Sequence, residues 1–250
     1  NMDIRICKTP DDLSQSFTAW FEEILMQKEM VTVALSGGST PRLLFDYWVG
    51  LPPGEIDWKK IKFFWGDERC VPPTDDGSNY KMTKEHLFDF LPVPRENIFR
   101  ILGENDPEAE ARRYGDLLSI ELESIHGIPS FDILMLGMGD DGHTASIFPH
   151  EIELWHHPAN CVTATHPESG QIRVSLTGKV INAAQHVAFL VTGENKADKV
   201  AEIIGHPHRI EKKYPAALVQ PDSENLIWFL DEKAAQRLTG EKDQRMGLIL

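Results

Sequence analysis

No two cysteines in this chain are spaced for a metal or a redox switch. Cys7, Cys70 and Cys161 stand apart, no CxxC pair occurs and the count is odd. A disulfide framework is therefore not expected, and the thiols read as reduced and intracellular. Long apolar runs are missing too: none approaches transmembrane length, and the opening "NMDIRICKTP" lacks the form of a signal peptide. Cationic side chains are scarce, with 25 Lys and Arg against 39 Asp and Glu and a formal net charge of −14. That balance argues against a general nucleic-acid binder or an anionic-membrane binder. An anionic small ligand would need a local cationic site built against the protein's own field. Each Arg or Lys beside a glycine-rich turn is therefore informative. Internal repeats, low-complexity tracts and long linkers are also absent.

What remains is the composition of a globular protein with a real core, 41% hydrophobic and 26% charged over 250 residues. One α/β domain spanning residues 2–250 is expected, with Asn1 ahead of Met2 set aside as an expression remnant. Strand-like runs alternate with helical ones: "DIRIC" with "SFTAWFEEILMQ", "VTVALS" with "PRLLFDYW", "IKFFWG" with "SNYKMTKEHLF". Then follow "NIFRI", a long helix "EAEARRYGDLLSIELESI" with a solvated acidic face from Glu108 to Glu123, and the strand "FDILML". The second half offers "CVTAT", "IRVSLT", "HVAFLV", a helix "KADKVAEII" and "NLIWFL". Runs such as "VTVAL" and "HVAFLV" are apolar on both faces, as strands covered on both sides are. The predicted fold is α/β: an open, doubly wound, mostly parallel sheet with helices on both faces. Ligands of such sheets sit outside the carboxyl ends of the strands.

Four strand ends carry candidate chemistry. After "VTVAL" comes "SGGSTPR": Gly37 and Gly38 permit a tight turn, Ser39 and Thr40 offer hydroxyls and N–H groups, and Pro41 suits a first helical turn. This is either a capped turn without a ligand or a helix N-terminus that takes a phosphate. It is not a nucleoside-triphosphate loop, since G-x-x-x-x-G-K-[ST] is absent. After "IKFFW" come Asp67, Glu68 and Arg69, read either as a solvated loop or as a site. There Arg69 would clamp an anion, and Asp67 would bind sugar hydroxyls or handle a proton.

The third end, "LGMGDDGHTASIF", has the dinucleotide spacing G-x-G-x-x-G at Gly137, Gly139 and Gly142. Asp140 and Asp141 inside that turn would repel a pyrophosphate. An acidic ribose anchor about 20 residues on would fall in the irregular "HPANCVTATHPE". The dinucleotide reading is rejected. What remains is Asp141 two residues from His143, read either as a capping acid beside an exposed histidine or as a carboxylate orienting a general base. Last, "IRVSLT" brings Arg173 and "HVAFLVTGENK" ends in Gly193 and Lys196. His156-His157 and His206-Pro207-His208 lack ligand spacing and read as solvated loops, so no metal site is expected. The tryptophans read as core.

Taken in order, "VALSGGSTPRLLFDYW", "FFWGDERCVPPTDDGSNYKM", "FDILMLGMGDDGHTASIFP", "RVSLT…INAAQHVAFLVTGENKA" and "YPAALV…LIWFLD" closely resemble the 6-phosphogluconolactonases, from Val31 to Asp231. Single motifs are shared with sugar-phosphate isomerases and deaminases; the ordered set is specific. The resemblance implies hydrolysis of 6-phospho-D-glucono-1,5-lactone to 6-phosphogluconate in the oxidative pentose phosphate pathway, by a cytoplasmic enzyme with no cofactor and no required metal. It makes His143 the base toward water and Asp141 its orienting partner. Gly37, Gly38, Ser39, Thr40, Arg69, Arg173 and Lys196 would hold the phosphate and balance negative charge, with Asp67 on a sugar hydroxyl. The expected partner is a small phosphosugar lactone, with no nucleic acid or membrane, for a monomer or small homo-oligomer.

Two alternatives stand beside this. Glucosamine-6-phosphate deaminases are similar at G-x-D-G-H but continue to a glutamate near an N-E-P end, where this chain has Ile147 and Phe148. A non-catalytic sugar-phosphate-sensing domain would share the fold. Against it, Asp141 and His143 are retained, and no basic arm is present.

Overall fold

The computed structural model describes residues 2–206, 213–238 and 246–249. The strands in chain order are β1 (Met2–Cys7), β2 (Val31–Leu35), β3 (Ile61–Trp65), β4 (Asp67–Arg69), β5 (Glu123–Ile125) and β6 (Ile128–Ser130). They continue with β7 (Ile133–Leu136), β8 (Cys161–Thr165), β9 (Ile172–Leu176), β10 (His186–Val191), β11 (Leu226–Asp231) and β12 (Met246–Ile249). Seven of them form one parallel sheet in the order β12-β1-β11-β10-β7-β2-β3. Val33 lies opposite Phe63 on one side and Ile133 on the other.

Two neighbouring residues show why both sheet faces must be covered. Trp228 and Phe229 are consecutive on β11, so their side chains leave opposite faces. Trp228 stacks on Phe189, its register partner on β10, at 3.8 Å. Phe229 meets Phe17 of helix α1 (Pro10–Leu25) at 5.3 Å. Both are fully buried, each worth roughly 1.5–3 kcal/mol of transfer from water. Helix α1 starts at Thr9, whose Oγ1 accepts from the Asp12 N–H, and packs on α2 (Ser39–Val49) through Phe21 and Trp48. The predicted mostly parallel α/β sheet with its helices is what the chain forms.

Chain order fixes where a ligand can enter. From β2 the chain moves outward to β3, whereas from β7 it moves the opposite way to β10. The direction reverses between β2 and β7, and a crevice opens there above the carboxyl ends.

Several elements differ from the sequence expectation. "CVTAT" and "IRVSLT" are strands, but they form a separate antiparallel sheet, β4-β9-β8, whose third member is the Asp67–Arg69 triplet. "NIFRI" is no strand; Ile98 makes one isolated bridge to Phe63. The helices after α2 are α3 (Asn79–Thr83), then α4 (Pro107–Glu121), which stops four residues before its predicted end at Ile125. The residues beyond it fold into the β5-β6 hairpin, turned by His126 and Gly127 at φ 53° and 79°, as a tight hairpin needs. The acidic face of α4 is not wholly solvated, because Glu110 is buried and accepts from the Leu102 N–H and the Arg113 guanidinium. After α5 (Gly178–Ala183), α6 runs over Ala197–Gly205. Among the described residues no helix is long and apolar enough to cross a membrane.

Candidate active site

A cavity of about 270 Å³ opens above the β2–β7 crevice. Every predicted site residue lines it except Asp141, which stands behind His143. Three parallel strands and the small antiparallel sheet each contribute one part of its wall.

The loop after β7 presents the histidine. Its shape depends on two glycines of the G-x-G-x-x-G spacing. A Cβ on Gly139 would lie 2.1 Å from the His143 ring, and Gly142 sits at φ +85° against the Tyr214 ring. The Asp141 Oδ1 then accepts twice from His143, from its backbone N–H at 3.0 Å and from Nδ1 at 2.6 Å. A carboxylate only accepts, so Nδ1 carries the proton and the neutral ring keeps its lone pair on Nε2. Burial pushes the Asp141 carboxyl up, but the hydrogen bond and charge of His143 outweigh it and hold it at about 2.

The antiparallel sheet supplies the arginines. Arg69 of β4 and Arg173 of β9 are register partners. Neither has a carboxylate within ion-pair distance among the described residues. Arg69 donates from Nη1 to the Gly77 carbonyl at 3.0 Å, and its buried Nε has no partner. Arg173 donates to Gln171 and lies 5.5 Å over the Phe148 ring. Burial and then the like charge of Arg69 lower the affinity of Arg173 for its proton. The nearby acids are committed elsewhere. Glu68 is buried and collects the N–H groups of Arg69, Asn79 and Tyr80 and the Ser78 hydroxyl. Asp67 accepts from the buried Ser146 hydroxyl at 2.5 Å.

The remaining wall joins β2 to β10. Gly37 to Thr40 line the cavity and run into the N-terminus of α2, where the first-turn N–H groups of a helix have no intrahelical partner. The Thr40 hydroxyl bonds that of Thr192, the residue after β10, at 2.8 Å. Lys196 precedes α6 and pairs with Asp140 at 2.7 Å, so the acid that argued against a pyrophosphate turns out to neutralise a lysine.

Sequence reading missed four residues here. Phe148 is fully buried and touches the His143 ring at 4.6 Å, Arg173 and His166. Asn79 lines the cavity and donates to the Asp67 carbonyl. Ser146 holds Asp67, and Thr192 holds Thr40. All four lie within the stretches quoted above, but none carries a local signal of its role. His156 and His157 are exposed, His206 is exposed, and Pro207 and His208 lie outside the described residues. Among the described residues, no group of three or more His, Cys, Asp or Glu is placed to hold a metal.

Comparison with known proteins gives consistent matches. The family described as glucosamine-6-phosphate isomerases/6-phosphogluconolactonase matches residues 8–228. A 6-phosphogluconolactonase of Treponema pallidum is 49% identical over 188 residues, 75% of this chain and 78% of its own. One of Haemophilus influenzae is 44% identical over 229 residues, 91% of this chain and 94% of its own. The solved structure of 6-phosphogluconolactonase from Trypanosoma cruzi superposes with a TM-score of 0.83 at 28% identity, covering 96% of this chain and 98% of that one. A match over most of the length, in both sequence and fold, decides the matter: the chain belongs to the glucosamine-6-phosphate isomerase/6-phosphogluconolactonase family.

Proposed function

We propose that this protein hydrolyses 6-phospho-D-glucono-1,5-lactone to 6-phospho-D-gluconate, as the names of its relatives suggest. One observation carries the reading: a histidine oriented by a carboxylate shares one cavity with two arginines that, among the described residues, make no direct ion pair. The first suits proton transfer and the second suits an anionic substrate.

His143 Nε2 takes a proton from water as the water oxygen bonds to the lactone carbonyl carbon. Asp141 fixes the tautomer and stabilises the imidazolium. The tetrahedral oxyanion then collapses, the bond to the ring oxygen breaks, and the imidazolium gives its proton to that oxygen. A carboxylic acid and a 5-hydroxyl result, and the acid ionises at neutral pH. The α2 N-terminus, Lys196 and the arginine pair hold the phosphate and balance the developing charge, while Asp67, fixed by Ser146, meets a sugar hydroxyl. The chain acts as one domain over residues 2–250, as a monomer or small homo-oligomer in the cytoplasm, without a metal or cofactor.

A deaminase would need a further carboxylate near the ring, and Ile147 and Phe148 are apolar and fully buried there. The test is turnover of freshly made lactone with the spontaneous rate subtracted, beside glucosamine 6-phosphate. Turnover of the amino sugar alone would transfer the protein to the deaminase reading. Tight binding of the lactone without turnover would make it a sensor.

A further inference from the structure

The three cations of the cavity are not equivalent. Arg69 and Arg173 line it without a direct ion pair among the described residues, whereas Lys196 is already paired, its Nζ 2.7 Å from Asp140 Oδ1. Asn195 Nδ2 donates to the same oxygen at 3.1 Å. Asp140 does not line the cavity, and its side chain is 67% exposed against 21% for Lys196. The acid therefore pulls on the lysine from the solvent side. Asp140 also belongs to the loop that carries Asp141 and His143, so its position is fixed by the same turn.

We propose that Asp140 is a built-in counter-ion that competes with the substrate's phosphate for Lys196 and so weakens the grip on phosphorylated ligands, the product above all. Hydrolysis turns a neutral lactone into a carboxylate, so the product carries one more negative charge than the substrate. A cavity with three free cations would hold such a product too firmly for rapid turnover. A fixed anion at the edge offsets one of those cations. The pair is easily opened, because an exposed ion pair is weak. A merely structural bridge between the two loops would act otherwise: its loss would loosen the loops and leave anion affinity unchanged or weaker.

This inference rests on the phosphosugar reading above, and the experiment separates the two. Inorganic phosphate, 6-phosphogluconate and unphosphorylated gluconate are titrated calorimetrically into the wild type, Asp140→Asn, Lys196→Met and the double variant. We expect Asp140→Asn to bind phosphate and 6-phosphogluconate about 3- to 10-fold more tightly, the size expected from removing a nearby like charge. Gluconate affinity should not change, KM for the lactone should fall, and kcat should not rise. Most of the gain should vanish in the Lys196→Met background. Unchanged or weaker phosphate binding by Asp140→Asn overturns the proposal, as does a gain kept in full without Lys196. If the wild type turns over the lactone, such a result leaves the enzymatic reading standing. A wild type that neither turns over lactone nor binds 6-phosphogluconate overturns both.

Discussion

The cavity has two walls of different make. On the parallel-strand side, after β2, β7 and β10, the polar groups named above are paired before a ligand arrives: His143 with Asp141, Lys196 with Asp140, Thr40 with Thr192. On the antiparallel side, Arg69 and Arg173 face each other across β4 and β9, and among the described residues neither is within ion-pair distance of a carboxylate. Two like charges at neighbouring register positions repel, and such an arrangement makes sense when a ligand supplies the missing anion. One wall is thus preorganised, as chemistry requires, and the other keeps its arginines out of direct ion pairs, as anion capture requires, with Asp67 and Glu68 acting on Arg173 only at longer range. The difference makes separate demands on mutants of each wall.

The largest effect should come from the paired wall. His143→Ala is expected to lose roughly 10²–10⁴-fold in turnover, the usual contribution of a general base, with 6-phosphogluconate binding largely kept. Turnover of unphosphorylated gluconolactone should fall as well, since the base acts on the lactone whichever lactone it is. A folded His143→Ala protein with near-normal turnover would strip this wall of its assigned chemistry.

On the open wall the next effect should be selective. Arg69→Ala should cost about 2–4 kcal/mol of transition-state stabilisation for the phosphorylated lactone, the range for truncating one partner of a buried charge pair. For unphosphorylated gluconolactone the cost should nearly vanish, because remote phosphate binding is then not available to position the ring. Equal losses on both would place Arg69 at the reacting end. Arg112 is the proper control, being exposed on α4. Arg113, which looks equally solvated in sequence, holds the buried Glu110 at 2.6 Å and would disturb the fold.

The two walls also differed in how well the sequence announced them. "VTVAL", "HVAFLV" and "LIWFL" are legible because a strand buried on both faces is apolar throughout. Asp141 and His143 are legible because the interacting groups lie two residues apart. The antiparallel wall depends on distant pairing. Asp67, Glu68 and Arg69 resemble a solvated loop in composition, yet they are a strand because β9 pairs with them and Glu68 gathers donors from Ser78 to Tyr80. Phe148 was visible only as the absence of an acid. Its contacts with His143, Arg173 and His166 join three segments that no local pattern connects.

A third, smaller effect probes the preorganisation of the paired wall through its backbone. Gly142→Ala places a Cβ at φ +85° and 2.7 Å from the Tyr214 ring. Holding a non-glycine residue in such a conformation costs about 1–3 kcal/mol, which urea unfolding should report. The folded fraction should also lose turnover, since the strained turn is the one that aims His143. Full stability with full activity would show that the turn tolerates a side chain and that its glycine is incidental.

The smallest effect, and the most specific to the pairing, is the dependence of stability on acid. The Asp141 carboxyl is held at about 2 in the folded protein, against the burial that would raise it, by the hydrogen bond and charge of His143. In the unfolded chain it returns to about 3.9. A depressed carboxyl contributes stability that is fully present above the unfolded value and is lost as pH falls through the folded one. The window is therefore pH 5 to 2. Because Asp141 is partly exposed, solvent screening reduces its contribution to about 1 kcal/mol. A depressed carboxyl remote from the pair, such as Glu104 beside Arg100, contributes equally to the wild type and to His143→Ala. The difference between the two proteins in urea midpoint isolates the Asp141 component. It should be largest at pH 5 and shrink steadily toward pH 2. A difference that stays constant across that window would mean that His143 does not hold the Asp141 charge, and the paired wall would lose the feature that sets it apart from the open one.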